Sequence, residues 1–399
     1  MAQPPPTSQS LIYGVLSFFF ILMMHCGDFY HQALALAASD NYATTCFSLG
    51  LPHYVLSTLR NLLLGGNRLF PQADGPCMVI NPDGYSRSGN KSWTLARFVG
   101  DHPSWMEDAV SDKVEKLKKA KYEFDKEAAK KAKTSSGLKP SVEWPTQAGL
   151  VVGIYEYDPQ KRQGRDVVFW SGIAVTALQL AVATIPIAFY GNWAVFLITV
   201  TGALLSFAIG SWPQWPREKW ACRKIPEGKI SRISWTKGNG SQHAIVIRFK
   251  GCGFNLEDLA TGGGNVTIPF PIRVALVALG FQWVALLLVW SIATALANPS
   301  GALFLAIIAG IGTLQNIFSV VISRTPTALG LPLKLVGVVG YPKVINVVYK
   351  CADTQHKVGR ALATEFFPNG LRDNEEKILK EIESSWDKEE KQEGTRVGK

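Results

Sequence analysis

The sequence predicts an α-helical membrane protein with two transmembrane helical hairpins, an N-terminal hydrophobic helix and a small insert containing a β-hairpin. Three observations carry this expectation. Residues 167–190 and 274–297 are apolar runs without Asp, Glu, Lys, Arg or His, and each is followed after a short turn by a second such run, 193–209 and 302–322. About 20 apolar residues suffice to cross the hydrocarbon of a bilayer. Aromatic residues gather at the run ends, at Phe169 and Trp170, at Tyr190 and Trp193, and at Trp212, Trp215 and Trp220, where interfacial belts form. Finally, the net charge of +10 lies in long hydrophilic stretches and is absent from the turns inside each hairpin, an asymmetry that reports membrane orientation rather than nucleic-acid binding.

Taken in order, residues 1–40 read as an N-terminal hydrophobic anchor or signal segment. Leu11 to Cys26 is apolar but short for a span, and small residues recur at Ala33, Ala35 and Ala37, as before a signal cleavage site. No Lys or Arg precedes the run, and Asp28 and His31 separate it from those small residues, which favours a retained anchor. Residues 41–165 read as a hydrophilic region with amphipathic and Lys-rich helices. Between Thr45 and Leu64 an apolar-leaning stretch is broken by Pro52, His53 and Arg60, while Leu56, Leu59 and Leu63 recur at helical spacing; an interfacial helix explains this better than a span. Pro71 to Trp105 is rich in Gly, Pro, Asn and Ser and reads as loop. Asp112 to Lys133 interleaves nine lysines with five acids around Val114, Leu117, Phe124 and Ala128. A solvated helix is the first reading and adsorption to anionic lipid the second.

The first transmembrane hairpin occupies 166–210 and turns at Gly191-Asn192; the second occupies 273–322 and turns at residues 298–301. A short stretch of Ala-x-Phe-Leu and a following Gly align between them, a likeness attributed to the small residue alphabet of membrane spans. Residues 211–272 form a soluble insert with a β-hairpin: Ile230 to Thr236 and Ala244 to Phe249 flank Lys237-Gly238-Asn239-Gly240-Ser241, and Asn-Gly between two β-rich runs is a strong hairpin signal. Residues 323–399 read as a soluble or interfacial helical tail, with stripes at Val347, Val348, Cys351, Val358, Leu362 and Phe366, and at Ile378, Leu379, Ile382 and Trp386.

If both hairpins cross, all three basic segments share one compartment, which the positive-inside rule makes the cytosol. The sequons at Asn90, Asn239 and Asn265 point the other way, since glycans need lumenal exposure. The six cysteines contain no C-x-x-C pair; Cys222 and Cys252 would bridge only in an oxidising compartment.

No Walker loop, H-E-x-x-H, G-x-S-x-G or dinucleotide fingerprint occurs, so no cofactor or metal is expected. The runs contain Gln179, Gln282, Gln315 and Asn316, amides that bond between helices, and Gly202, Ser206 and Gly210 share a helix face suited to close packing or self-association. The candidate catalytic cluster is His25, Asp28 and His31, fanned across about 120° of a helix at 100° per residue; its bland reading is a polar border where the first helix leaves the membrane. His243 with Glu257 and Asp258 is a second acid/base candidate, with surface charge as its default reading.

The stretch from Trp215 to Lys224, with Gly238 to His243 and Leu256 to Ala260, resembles segments of uncharacterised multi-pass membrane proteins of fungi. The resemblance implies the membrane class and no catalytic residue. The expected function is therefore a non-catalytic membrane scaffold or assembly component, in a membrane that the sequence does not distinguish. Its partners would be the lipid bilayer, a protein met by the insert or the C-terminal helices, and a second copy of the chain; nucleic acid is not expected. The alternative is a membrane-embedded enzyme acting on an apolar metabolite, an isoprenoid or lipid.

Overall fold

In this computed structural model the described residues are 26–37, 44–64, 68–73, 75–82, 86–136, 142–161, 165–262, 268–297, 299–355 and 357–397. In chain order the elements are α1 (26–37), α2 (Gly50–Leu63), β1 (Met78–Asn81), β2 (Ser86–Gly89), α3 (Trp93–Gly100), α4 (His102–Trp105), α5 (Asp108–Ser136), β3 (Leu150–Tyr157), α6 (Val167–Tyr190), α7 (Ala194–Gly210), α8 (Gln214–Lys219), β4 (Ile230–Thr236), β5 (His243–Lys250), α9 (Leu256–Thr261), α10 (Phe270–Ala297), α11 (Pro299–Val321), β6 (Leu333–Tyr341), α12 (Val344–Thr354), α13 (Val358–Phe366) and α14 (Asp373–Val397). Among the described residues the chain is mostly helical, with four helices long and apolar enough to cross a membrane and a small mixed sheet. The apolar run assigned to an anchor or signal falls, apart from Cys26, outside the described residues, as do His25 and Asn265.

Local chemistry sets the ends of the first apolar pair. Asp166 caps α6 by accepting from the Phe169 amide at 3.1 Å, and Gly191 closes it at φ 64°, a left-handed backbone that glycine adopts without steric cost. The Asn192 side chain accepts from the Ala194 amide at 3.0 Å and starts α7.

The sheet differs from the expected self-contained insert. Its order is β2-β1-β4-β5-β3-β6. The β4–β5 pair is antiparallel, as Asn-Gly chemistry demands, but β5 also pairs in parallel with β3, and β3 pairs antiparallel with β6. Four of the six strands, β1, β2, β3 and β6, come from regions read as loop, hydrophilic or helical. The physical reason is burial on both faces: β3 is Leu-Val-Val-Gly-Ile-Tyr-Glu-Tyr and buried from Leu150 to Tyr155, so it lacks the alternation that marks a half-exposed strand. The stretch 71–105 likewise holds β1, β2, α3 and α4, elements too short for periodicity to reveal.

One sheet face, from Leu150, Val152, Ala244 and Val246, packs on α12, α13 and α14 through Val347, Cys351, Leu362 and Leu379. On the opposite face Val79, Trp235, Ile245, Ile247 and Phe249 join Phe98 and Trp93 of α3 in a core that continues through Trp215 into Ile198, Leu205 and Ile308 of the apolar helices. Sheet and helix bundle thus share one hydrophobic core. Polar clamps reinforce the junction. Arg97 of α3 donates to the carbonyls of Val320 (2.7 Å) and Ile322 (3.2 Å), where cations suit the negative end of a helix dipole. At the helix ends, Arg324 pairs with Asp166 at 2.6 Å and donates to the Leu36 carbonyl. The Glu218 carboxylate accepts from the amides of Leu69 (2.6 Å) and Phe70 (2.9 Å).

Candidate functional site: a non-helical segment inside the apolar bundle

The stretch from Thr45 to Leu64 is not one interfacial helix. Helix α2 begins at Gly50, and 44–48 has no regular secondary structure, with Thr45, Cys46, Phe47 and Ser48 all buried. This non-helical backbone lies among α6, α7 and α11, and Phe47 meets residues near the midpoint of each: Gln179, Gly202 and Gly312. Non-helical backbone surrounded by apolar helices has no water to bond, so side chains must take water's place.

They do so group by group. The Ser206 hydroxyl donates to the Thr45 carbonyl at 3.0 Å. Asn316 grips Cys46 on both sides, accepting from its amide and donating to its carbonyl, each at 3.3 Å, and also reaches the Ser48 hydroxyl at 3.0 Å. Gln179 Nε2 donates to the Phe47 carbonyl at 2.7 Å and to that of Ile308 at 2.8 Å. The Thr313 hydroxyl accepts from the Leu49 amide at 3.3 Å. Tyr30 of α1 adds a bond to Ser206 at 2.7 Å.

Glycines make the room. A Cβ at Gly202 would overlap the Phe47 ring, one at Gly312 the Phe47 carbonyl, and one at Gly172 the Thr44 carbonyl. The small-residue face around Gly202 and Ser206, read as a surface for another helix, instead accommodates this segment. Of the four amides, Gln315 does bond between helices, to Ser171 at 2.7 Å, and Gln179 bonds both a helix and the segment. Asn316 serves the segment, and Gln282 is exposed. Gln179 Oε1 is buried without a partner.

The residues singled out as catalytic candidates are placed differently. His31 Nε2 bonds the Leu69 carbonyl at 2.6 Å, and its ring packs against Tyr54 and Trp215 at 5.3 and 6.1 Å. Asp28 is exposed. Asp258 is held by Arg223 at 2.6 and 2.8 Å, and Glu257 accepts from Asn81 at 2.6 Å; both lie on α9, after the far end of the strand that His243 begins. Among the described residues no group of three His, Cys, Asp or Glu side chains is arranged to hold a metal ion. Of the sequons, the Asn90 amide is engaged in a local turn, donating to the Ser92 carbonyl at 2.7 Å, while Asn239 sits exposed in the β4–β5 turn.

Sequence reasoning missed one polar cluster. The rings of His102 and His243 lie 5.3 Å apart, with Trp105 edge-on to His102 at 4.7 Å and Tyr155 beside Trp105 at 5.5 Å. Both nitrogens of His102, Nδ1 of His243, Oη of Tyr155 and Nε1 of Trp235 are buried without hydrogen-bond partners. Burial pushes the His102 imidazole down to about 3, with the charges of His243 and Lys237 adding to the effect. His243 is lowered too, by burial first and then by Lys118 and Lys237. Only the pairing of remote residues creates this cluster, so no local spacing announced it.

Comparison with protein-family models, with curated proteins and with solved structures finds no match for the chain.

Proposed function

We propose that the chain is a multi-pass integral membrane protein in which both apolar hairpins cross the bilayer and hold a folded sheet domain against one membrane face, as a non-catalytic assembly component. The observation that carries this reading is the junction: sheet and bundle share a core and are clamped by Arg97 and Glu218. Such a union presents the domain in one fixed orientation. The outward faces of α6 and α10 support the membrane placement, because Trp170, Leu178, Phe189, Phe281, Leu286, Val289 and Trp290 are exposed, and an apolar surface of that extent is stable only against lipid or protein.

The basic segments before α6, between α7 and α10 and after α11 favour a cytosolic sheet domain under the positive-inside rule. The engaged Asn90 amide weakens the lumenal alternative. The fungal membrane-protein resemblance fits the same reading.

The test is fractionation of native membranes with alkaline carbonate, followed by labelling of sealed vesicles with an impermeant maleimide at Cys252 and, separately, in an Asn192→Cys variant. The expected outcome is protein retained in the pellet, the two positions labelled from opposite faces, and a native-gel species larger than the single chain in mild detergent. A chain that extracts into buffer, or that migrates alone in every mild detergent, contradicts the proposal.

A further inference from the structure

Helix α5 is longer than the domain needs. Its first turns pack Val110, Val114 and Leu117 on the sheet beside Val151 and Leu335, Lys121 reaches the Gln147 carbonyl at 3.0 Å and Tyr122 stacks near Trp144 at 5.3 Å. After Tyr122 the helix continues for fourteen residues, about 21 Å at 1.5 Å per residue. Continuing at the spacing of 110, 114 and 117, the same stripe reaches Phe124 and Ala128, and Phe124 is 72% exposed. An isolated helix of this length is marginal in water, and an exposed apolar stripe along it calls for a second surface.

The direction of α5 excludes one occupant. Strand β3 leads into α6, so its Tyr157 end is the one next to the bundle. Glu107, just before α5, accepts from the Leu335 amide, opposite Tyr155. Further along, Lys113 lies against Gly340 and over the Tyr341 ring at 5.8 Å, opposite Val151 and Leu150. The helix therefore runs away from the bundle, and its lysines do not face the membrane in which this chain would sit. Charge excludes a second occupant and selects a third. Lys116 to Lys131 contains seven lysines against three acids, so two copies of this face would repel. The acids Glu123, Asp125 and Glu127 interrupt the basic surface, which disfavours a polyphosphate backbone.

Resting on the assembly reading above, we infer that the α5 arm docks an acidic amphipathic helix of a partner protein, which seats apolar residues on Phe124 and Ala128 and carboxylates against Lys121 and Lys131. The geometry is the helix-on-helix mode in which apolar anchors give affinity and flanking charges give partner choice.

The experiment uses the full chain in its native membranes, with a benzophenone amino acid replacing Phe124 or, on the opposite face, Lys119, and adducts mapped by peptide mass spectrometry. Crosslinking at 124 is expected to exceed that at 119 by about tenfold, to map to a helical segment with excess Asp and Glu, and to disappear when Lys121→Glu and Lys131→Glu are combined. Adducts to lipid, to RNA or to another copy of this chain, equal labelling at both positions, or none at all overturn the inference. Phe124→Asp separates this surface from the broader reading, because an exposed residue can change without unfolding the domain. Loss of the native-gel species with an unchanged melting curve supports the arm. A complex that survives the substitution overturns the arm and leaves the assembly reading standing, whereas a wild-type chain found alone overturns both.

Discussion

The buried backbone groups of the segment inside the helix bundle and the buried ring and hydroxyl groups of one cluster in the sheet domain follow opposite rules. In the bundle, the carbonyls of Thr45, Cys46 and Phe47 and the amides of Cys46 and Leu49 each have a side-chain partner from α6, α7 or α11. Beneath α4, the rings of His102 and His243, Tyr155 Oη and Trp235 Nε1 leave five buried atoms unpaired. The difference follows from the surroundings. A peptide group in an apolar bundle with no partner costs several kcal/mol, and the break in helix at 44–48 survives only because Gln179, Asn316, Thr313 and Ser206 replace the lost helical bonds. A neutral imidazole under a sheet costs less and can be met by an ordered water.

Breaking the bundle's side of this contrast should have the largest effect. Asn316→Leu strands the Cys46 amide and carbonyl together, at about 1–3 kcal/mol for each unpaired group, and should lower the melting temperature in detergent sharply. Gln315→Leu, which removes a helix-to-helix bond only, should cost much less. Gly312→Ala should follow, since its Cβ would overlap the Phe47 carbonyl; overpacking of this kind costs about 1–3 kcal/mol and is readable in the same melts.

How much of this was legible in the sequence depends on the range of the interaction concerned. The four apolar runs announced themselves because each helix carries its own signal over some twenty residues. The β4–β5 hairpin did so through Asn239-Gly240. The amides Gln179 and Asn316 were visible as polar residues in apolar runs, but their partner was not, because 44–48 is uncharged and too short to show a period, and its meaning lies in residues more than a hundred positions away. Strand β3 escaped for the related reason that neighbours on both faces erase its alternation. Glycine offered a hint used only at Gly202: Gly172 and Gly312 also fall within apolar runs, where glycine is often a mark of close backbone approach.

Two smaller tests sharpen the sheet's side. The His102 imidazole titrates near 3 in the folded protein, below its unfolded value of about 6.5, so the folded state binds fewer protons. Stability is complete above about 6.5 and is lost as the pH falls from there toward 3, at up to about 1.4 kcal/mol per pH unit. His243, lowered in the same direction by burial and by Lys118 and Lys237, adds to the loss in acid. His102→Phe should therefore match or exceed wild type at neutral pH and gain on it progressively in acid, as read by melting temperature against pH. The smallest effect is expected at the start of α3, where the Ser92 hydroxyl caps the Leu95 amide at 3.4 Å. Ser92→Ala should cost about 1 kcal/mol.

The most direct test of a segment held inside the bundle is the reactivity of its own thiol. Cys46 is fully buried beside Gly172 and Thr176, whereas Cys252 is partly exposed. In lipid nanodiscs, a chain whose only cysteine is Cys46 should resist a small membrane-permeant maleimide until it is denatured, while one whose only cysteine is Cys252 reacts at once. Equal rates in the folded protein would contradict the account.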